Sequence, residues 1–389
     1  MKVKPAERTG SVEEYYFSKK LRQLDQMRSA GADIINLGIG SPDQPPSENT
    51  VERLANVARK PDVHGYQSYM GNPALRKAFA DWYQKYFGVK LNPENEILPL
   101  MGSKEGIMHI SMAFVNPGDE VLIPDPGYPT YSSVTRLVGG RVRYYNLEEK
   151  NGWLPDLKLL EKTIPGEIKL MWTNYPHMPT GTKGSMELFS ELVAFASDRN
   201  ILICNDNPYS FILNNEYYSL LAVKNAMETA LEMNSLSKSH NMAGWRIGMV
   251  AGNSDYIKTI LKVKSNMDSG MFLPVQMAAV EALSNPPSWY DKVNKTYLIR
   301  RKTAENIMEL LKCRFSSDQS GLFVWGRIPD EIISCEAFVE EILQKAHVFI
   351  APGFIFGHMG ERYIRISLCA DNDRLTEAGK RIEKITINN

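Results

Sequence analysis

Lys238 stands in the stretch S-L-S-K-S-H-N-M-A-G-W-R-I-G, Ser235 to Gly248, in a short polar turn between two apolar runs, Thr229–Met233 and Ile247–Ala251. Arg246 follows and opens the second run. An ε-amine can condense with an aldehyde to form a Schiff base. A guanidinium with hydroxyls nearby, here Ser235 and Ser237, can hold a phosphate dianion through a charge-assisted fork. An aldehyde and a phosphate on one small molecule describe pyridoxal 5′-phosphate (PLP). The plainer use of such a stretch is a solvated loop joining two strands.

Other stretches offer chemistry that would complement an aldehyde-bearing ring. Asp206 and Tyr209 lie in N-D-N-P-Y, directly after the continuous apolar run Ile201–Cys204. Such a run reads as a buried parallel strand, and open α/β sheets bind ligands beyond the C-terminal ends of their strands. A carboxylate there can pair with a protonated ring nitrogen, and a tyrosine can donate to a phenolate oxygen. Gly102-Ser103-Lys104 opens an apolar helix, whose free N–H groups and positive dipole end suit an anion. Tyr128, in P-D-P-G-Y-P-T-Y, projects an aromatic face able to stack on a pyridine ring. Gly38-Ile39-Gly40 lets the backbone approach a ligand closely. Taken singly, each stretch also reads as an ordinary turn, helix start or surface loop.

The elements that must position these residues alternate along the chain. Helical spacing marks Ser11–Ala30, Gly102–Val115, Leu157–Thr163, Ser185–Arg199, Tyr290–Leu311 and Arg374–Ile385. Strands are expected at Ile34–Leu37, Ile97–Met101, Asp119–Ile123, Arg141–Leu147, Ile168–Thr173, Ile201–Cys204 and Gly321–Trp325. This order predicts an α/β protein. No internal repeat or low-complexity tract interrupts it.

Seven motifs in order, from Gly38 to Ser367, resemble the fold-type I aminotransferases of class I/II, which are aspartate aminotransferase-like. The resemblance implies a large domain over 44–282 with a mostly parallel sheet, and a smaller α+β domain from 1–43 and 283–389. It implies PLP, with Lys238 as the Schiff-base lysine, Asp206 at the ring nitrogen and Tyr209 at the phenolate. Ser103, the Lys104 backbone, Ser235, Ser237 and Arg246 match phosphate ligands, and Tyr128 matches the stacking aromatic. Tyr66, in H-G-Y-Q-S-Y-M-G, matches a tyrosine that reaches the neighbouring subunit's cofactor, which implies a homodimer with shared active sites. Gly40 and Arg365 match the groups that hold the substrate α-carboxylate. Asn174 to Gly181 resembles the N-P-T-G turn, with Met178 where the family usually has asparagine. Tyr15-Tyr16-Phe17 and the G-S-K-E-G turn look somewhat like the LL-diaminopimelate aminotransferases, which makes Tyr15 a substrate-side residue. The implied reaction moves the amino group of an L-amino acid to a 2-oxo acid such as 2-oxoglutarate. A PLP-dependent C–S β-lyase, or another enzyme of the same fold, would share these motifs.

Composition narrows the field further. The 389 residues carry 45 basic and 45 acidic side chains, so no net charge favours a nucleic-acid partner. A non-catalytic PLP-binding regulator would need a basic DNA-binding module, and the segment before Ile34 is short and not basic enough for one. Four cysteines, Cys204, Cys313, Cys335 and Cys369, lack C-x-x-C spacing and read as reduced thiols, with no metal site expected. The polar start and the lack of an apolar run near the ~18 residues needed to cross a bilayer lead us to expect a cytoplasmic protein with no membrane partner.

Overall fold

The computed structural model describes residues 3–163 and 166–387. In chain order the strands are β1 (Ile35–Asn36), β2 (Ile97–Leu100), β3 (Glu120–Asp125), β4 (Arg141–Asn146), β5 (Ile168–Thr173), β6 (Leu202–Asp206) and β7 (Ala230–Ser235). They continue as β8 (Gly248–Gly252), β9 (Arg314–Phe315), β10 (Phe323–Arg327), β11 (Val348–Phe349), β12 (Ala351–Pro352) and β13 (Tyr363–Ser367). Seven of them form one sheet in the order β2-β8-β7-β6-β5-β3-β4. β8 runs antiparallel to both of its neighbours, β2 and β7, and the remaining pairs are parallel. A second sheet, β12-β13-β10-β9, is antiparallel, and β1 pairs with β11 in parallel.

The apolar runs of the large sheet are continuous because both of its faces are covered. Along β6, Ile203 packs into one core with Met171 and Phe195, while Leu202 and Cys204 join the core on the other side with Val121 and Leu170. A third core surrounds the small sheet and takes in Phe17, Leu24 and Ile34 from the N-terminal segment. The helix Pro287–Leu310 runs between cores, with Tyr290 in one and Val293, Tyr297 and Ile307 in another. All four cysteines are buried and unpaired. No helix among the described residues is long and apolar enough to cross a membrane.

Most expected elements appear within a residue or two of their predicted ends. Three local expectations need correction. Lys238 lies in a four-residue helix, Leu236–Ser239, and not in a turn. The cause is Ser235, whose Oγ accepts from the Ser237 amide at 3.1 Å as an N-cap. Arg246 does not open β8. It sits before the strand with φ +56, a left-handed conformation rare for a side chain of this size. The N-terminal helix also starts later than expected, at Tyr16, after a short 3-10 turn over Glu7–Ser11.

Candidate active site

The C-terminal ends of β2, β3, β5, β6 and β7 converge on one cavity of about 630 Å³. Each end delivers part of the lining: Ser103 and Lys104 after β2, Tyr128 and Tyr131 after β3, and Asn174 and Met178 after β5. Asp206 and Tyr209 come from β6, and Ser235, Ser237 and Lys238 from β7. Gly40, Tyr15, Arg246 and Arg365 complete the expected set around the same space. Tyr66 does not line this cavity. Its side chain is 92% exposed.

At one end the groups favour an anion. Gly102 caps the helix Ser103–Phe114 with φ +86, and a Cβ there would fall 2.1 Å from Arg246 Nη2. The guanidinium therefore lies against the opening of that helix, where amides and dipole already attract negative charge. Arg246 Nη1 donates to the Ala243 carbonyl at 2.9 Å, and Ser235 Oγ donates to Ser237 Oγ at 2.8 Å. Ser103 Oγ is buried with no hydrogen-bond partner among the described residues.

Asp206 is 5% exposed at the end of β6. Tyr131 donates to its Oδ2 at 3.0 Å, and the Tyr131 ring stacks on Trp172 at 5.0 Å. Its Oδ1 has no hydrogen-bond partner among the described residues. Burial raises the Asp206 carboxyl to about 7, against the opposing hydrogen bond from Tyr131. A buried carboxylate with one free oxygen favours a cationic donor, because an unpaired buried charge is costly. Lys238 Nζ donates to the Gly40 carbonyl at 2.6 Å. Its pKa is lowered, chiefly by burial, with Arg365 and Arg246 adding repulsion. Both effects favour a neutral amine.

Arg365, on β13, stands at the other end. Its guanidinium carbon lies 3.8 Å from the Phe323 ring centroid, 4.5 Å from that of Phe356 and 5.7 Å from that of Phe17. Nη2 donates to the Gly38 carbonyl at 2.8 Å, Nη1 lies 3.2 Å from Met178 Sδ, and Nε has no partner among the described residues. No carboxylate among the described residues pairs with it. Burial lowers its pKa to about 10. Such a group invites an incoming carboxylate.

Sequence reasoning missed Tyr131 and the aromatic surround of Arg365. Tyr131 lies in the first turn of the helix Pro129–Leu137, three residues after its N-cap Tyr128, in the same P-D-P-G-Y-P-T-Y stretch. The aromatic surround had no comparable signal, since Phe17, Phe323 and Phe356 are far apart in the chain.

The model of the family "Aminotransferase class I and II" matches residues 32–382. The chain belongs to that family. It is 38% identical over 385 residues to the LL-diaminopimelate aminotransferase of Moorella thermoacetica, covering 98% of each chain. The enzyme of that name from Aquifex aeolicus is 39% identical over 375 residues, covering 96% of this chain and 97% of its own. Among solved structures, substrate-bound BacF from Bacillus subtilis superposes with a TM-score of 0.94 at 31% identity, covering 99% of this chain and 98% of that one. This aminotransferase is therefore an amino-group-transferring enzyme that uses PLP. The cavity fits that cofactor. It offers an amine for the aldehyde, an unpartnered carboxylate oxygen for the ring nitrogen, and an unpartnered serine hydroxyl beside a guanidinium and a helix N-terminus for the phosphate.

Proposed function

We propose that the enzyme transfers the α-amino group of an amino acid bearing a second carboxylate, of which LL-diaminopimelate is the leading candidate. The observation that carries this reading is the charge of the cavity lining. Among the described residues that line the cavity, Lys104, Lys238, Arg246 and Arg365 stand against a single carboxylate, Asp206. Arg246 is matched to a phosphate, Lys238 to an aldehyde and Arg365 to an α-carboxylate, which leaves Lys104 over. Its Nζ lies 4.8 Å from the Tyr15 ring centroid, and burial lowers its pKa, with Arg246 adding to the effect. A distal carboxylate would neutralise it, with Tyr15 as the adjoining wall. The names of the two relatives above support the same choice.

The roles of the residues follow from their placement. When bound, PLP supplies an electron sink conjugated to the substrate α carbon. Arg246, Ser103, Ser235, Ser237 and the Lys104 amide hold the phosphate. Asp206, oriented by Tyr131, keeps the ring nitrogen protonated. Tyr128 covers the ring and excludes water, and Tyr209 donates to the phenolate oxygen. Arg365 and the Gly40 backbone fix the α-carboxylate, which aims the α-hydrogen at Lys238. The Lys238 amine, favoured in its neutral form by burial, then takes that proton and returns it. Because Tyr66 is exposed and does not line its own cavity, we assign it to the phosphate of a second subunit, making the working unit a homodimer. We divide the chain into a large domain, 44–282, and a small one from 1–43 and 283–389. The cytoplasm is the proposed location.

A panel of amino donors with 2-oxoglutarate tests the substrate class. LL-diaminopimelate should exceed monocarboxylic donors in kcat/KM. Lys104→Gln should weaken the diacid by roughly tenfold, one charged hydrogen bond, and leave monocarboxylic donors unchanged. A uniform loss across the panel would remove Lys104 from this role.

A further inference from the structure

Asp125 ends β3 but does not line the cavity that its neighbour Tyr128 walls. Its side chain is nearly buried, and both oxygens serve a distant segment of the chain. Oδ2 accepts the His358 amide at 3.1 Å, and Oδ1 accepts the Met359 amide at 2.9 Å. Beside this contact, the Gly127 amide donates to the Phe356 carbonyl at 2.7 Å. Gly357 has φ +137, and a Cβ there would lie 2.1 Å from Asp125 Oδ1. Only glycine lets the carboxylate come this close to that backbone. The segment so held carries Phe356, whose ring faces the Arg365 guanidinium at 4.5 Å. Desolvation raises the Asp125 carboxyl, and the two amides only partly offset it. A carboxylate buried at that cost joins the end of the large sheet to the loop before β13.

We propose that Asp125 is a positioning residue that fixes the Tyr128 wall against the Phe356 cap and so sets the affinity of Arg365 for a carboxylate. This rests on the reading of Arg365 as the α-carboxylate group. Asp125 acts through backbone it holds, touching neither substrate nor cofactor.

The PLP-loaded enzyme with Asp125→Asn tests this. The amide keeps one acceptor and turns an NH₂ toward the second backbone N–H. KM for amino donor and 2-oxo acceptor should both rise roughly tenfold, while kcat stays within about threefold. The visible absorbance of the cofactor should be unchanged, and hydrogen exchange at the amides of 358 and 359 should quicken. Gly357→Ala crowds the same contact from the other side and should reproduce the split, and it decides the matter alone if Asp125→Asn does not fold. Unchanged KM in the folded variants overturns the proposal, as does a loss of kcat together with cofactor. Arg365→Lys is measured alongside. If it leaves KM unchanged, the reading of Arg365 has failed. If it raises KM while the Asp125 and Gly357 variants do not, the Asp125 proposal alone has failed.

Discussion

Asp206 and Arg365 are both ionisable and buried in one cavity, yet Asp206 is held by a tyrosine hydrogen bond and Arg365 mainly by aromatic faces. Asp206 sits on the end of a central strand, with Tyr131 fixed to it and Trp172 stacked behind that ring. Arg365 lies among Phe17, Phe323 and Phe356, with one carbonyl and one thioether as its only polar contacts among the described residues. The first arrangement fixes a direction, as the proposed ring-nitrogen contact requires. The second leaves hydrogen-bonding capacity open for a ligand that must come and go. A thioether is a weak acceptor, so a carboxylate can take Nη1 from Met178 at little cost.

Four substitutions probe this contrast, and Lys238→Ala has the largest expected effect. It should abolish transamination in single-turnover measurements while PLP still binds noncovalently. Borohydride fixation of the cofactor on another lysine would disprove the assignment.

Next comes Asp206→Asn, which should slow proton abstraction by several orders of magnitude. Its effect on the cofactor-free protein should run the opposite way. The Asp206 carboxyl is raised from 3.8 to about 7 in the fold. Between those values the folded chain retains a proton that the unfolded chain has released, so stability falls as pH rises through that window. Asp206→Asn should flatten the fall and raise Tm above pH 7. A Tm at pH 8 equal to that of the parent protein would show that burial there is not costly.

Arg365→Lys tests the aromatic end. It keeps the charge but loses the planar fork, so KM for amino and oxo acids should rise roughly ten- to a hundredfold with PLP affinity intact. A weakened cofactor with unchanged KM would place the arginine at the wrong end.

Met178→Asn carries the smallest effect and joins the two ends. The thioether has no proton to give, whereas asparagine can donate to the cofactor's phenolate oxygen. One hydrogen bond to a charged acceptor is worth about 1.5–3 kcal/mol, or on the order of one to two pKa units. The pH midpoint of the visible absorbance should fall by that amount. An unchanged midpoint would mean that Tyr209 or another donor already serves the oxygen. His177, the adjacent candidate, is buried with its pKa lowered to about 3, and its Nδ1 is engaged with Thr180.

While the mostly parallel sheet was implied by the family resemblance, the strand and helix order and the residues near the ends of the strands were readable from the sequence by itself. Those are local properties: an apolar run ends, and the next polar residue must lie at the sheet's rim. Ser103, Tyr128, Asp206 and Lys238 were legible for that reason. What only the tertiary structure decided is how segments distant in the chain meet. The helical turn at Lys238 depends on a serine cap, and the seat of the Arg246 guanidinium depends on the close approach that Gly102 allows. The aromatic surround of Arg365 draws on Phe17, Phe323 and Phe356, and Asp125 meets His358 and Met359 across more than two hundred residues. Spacing along a chain records neighbours on one helix or strand. It carries no signal for contacts that arise only when separate cores pack against each other.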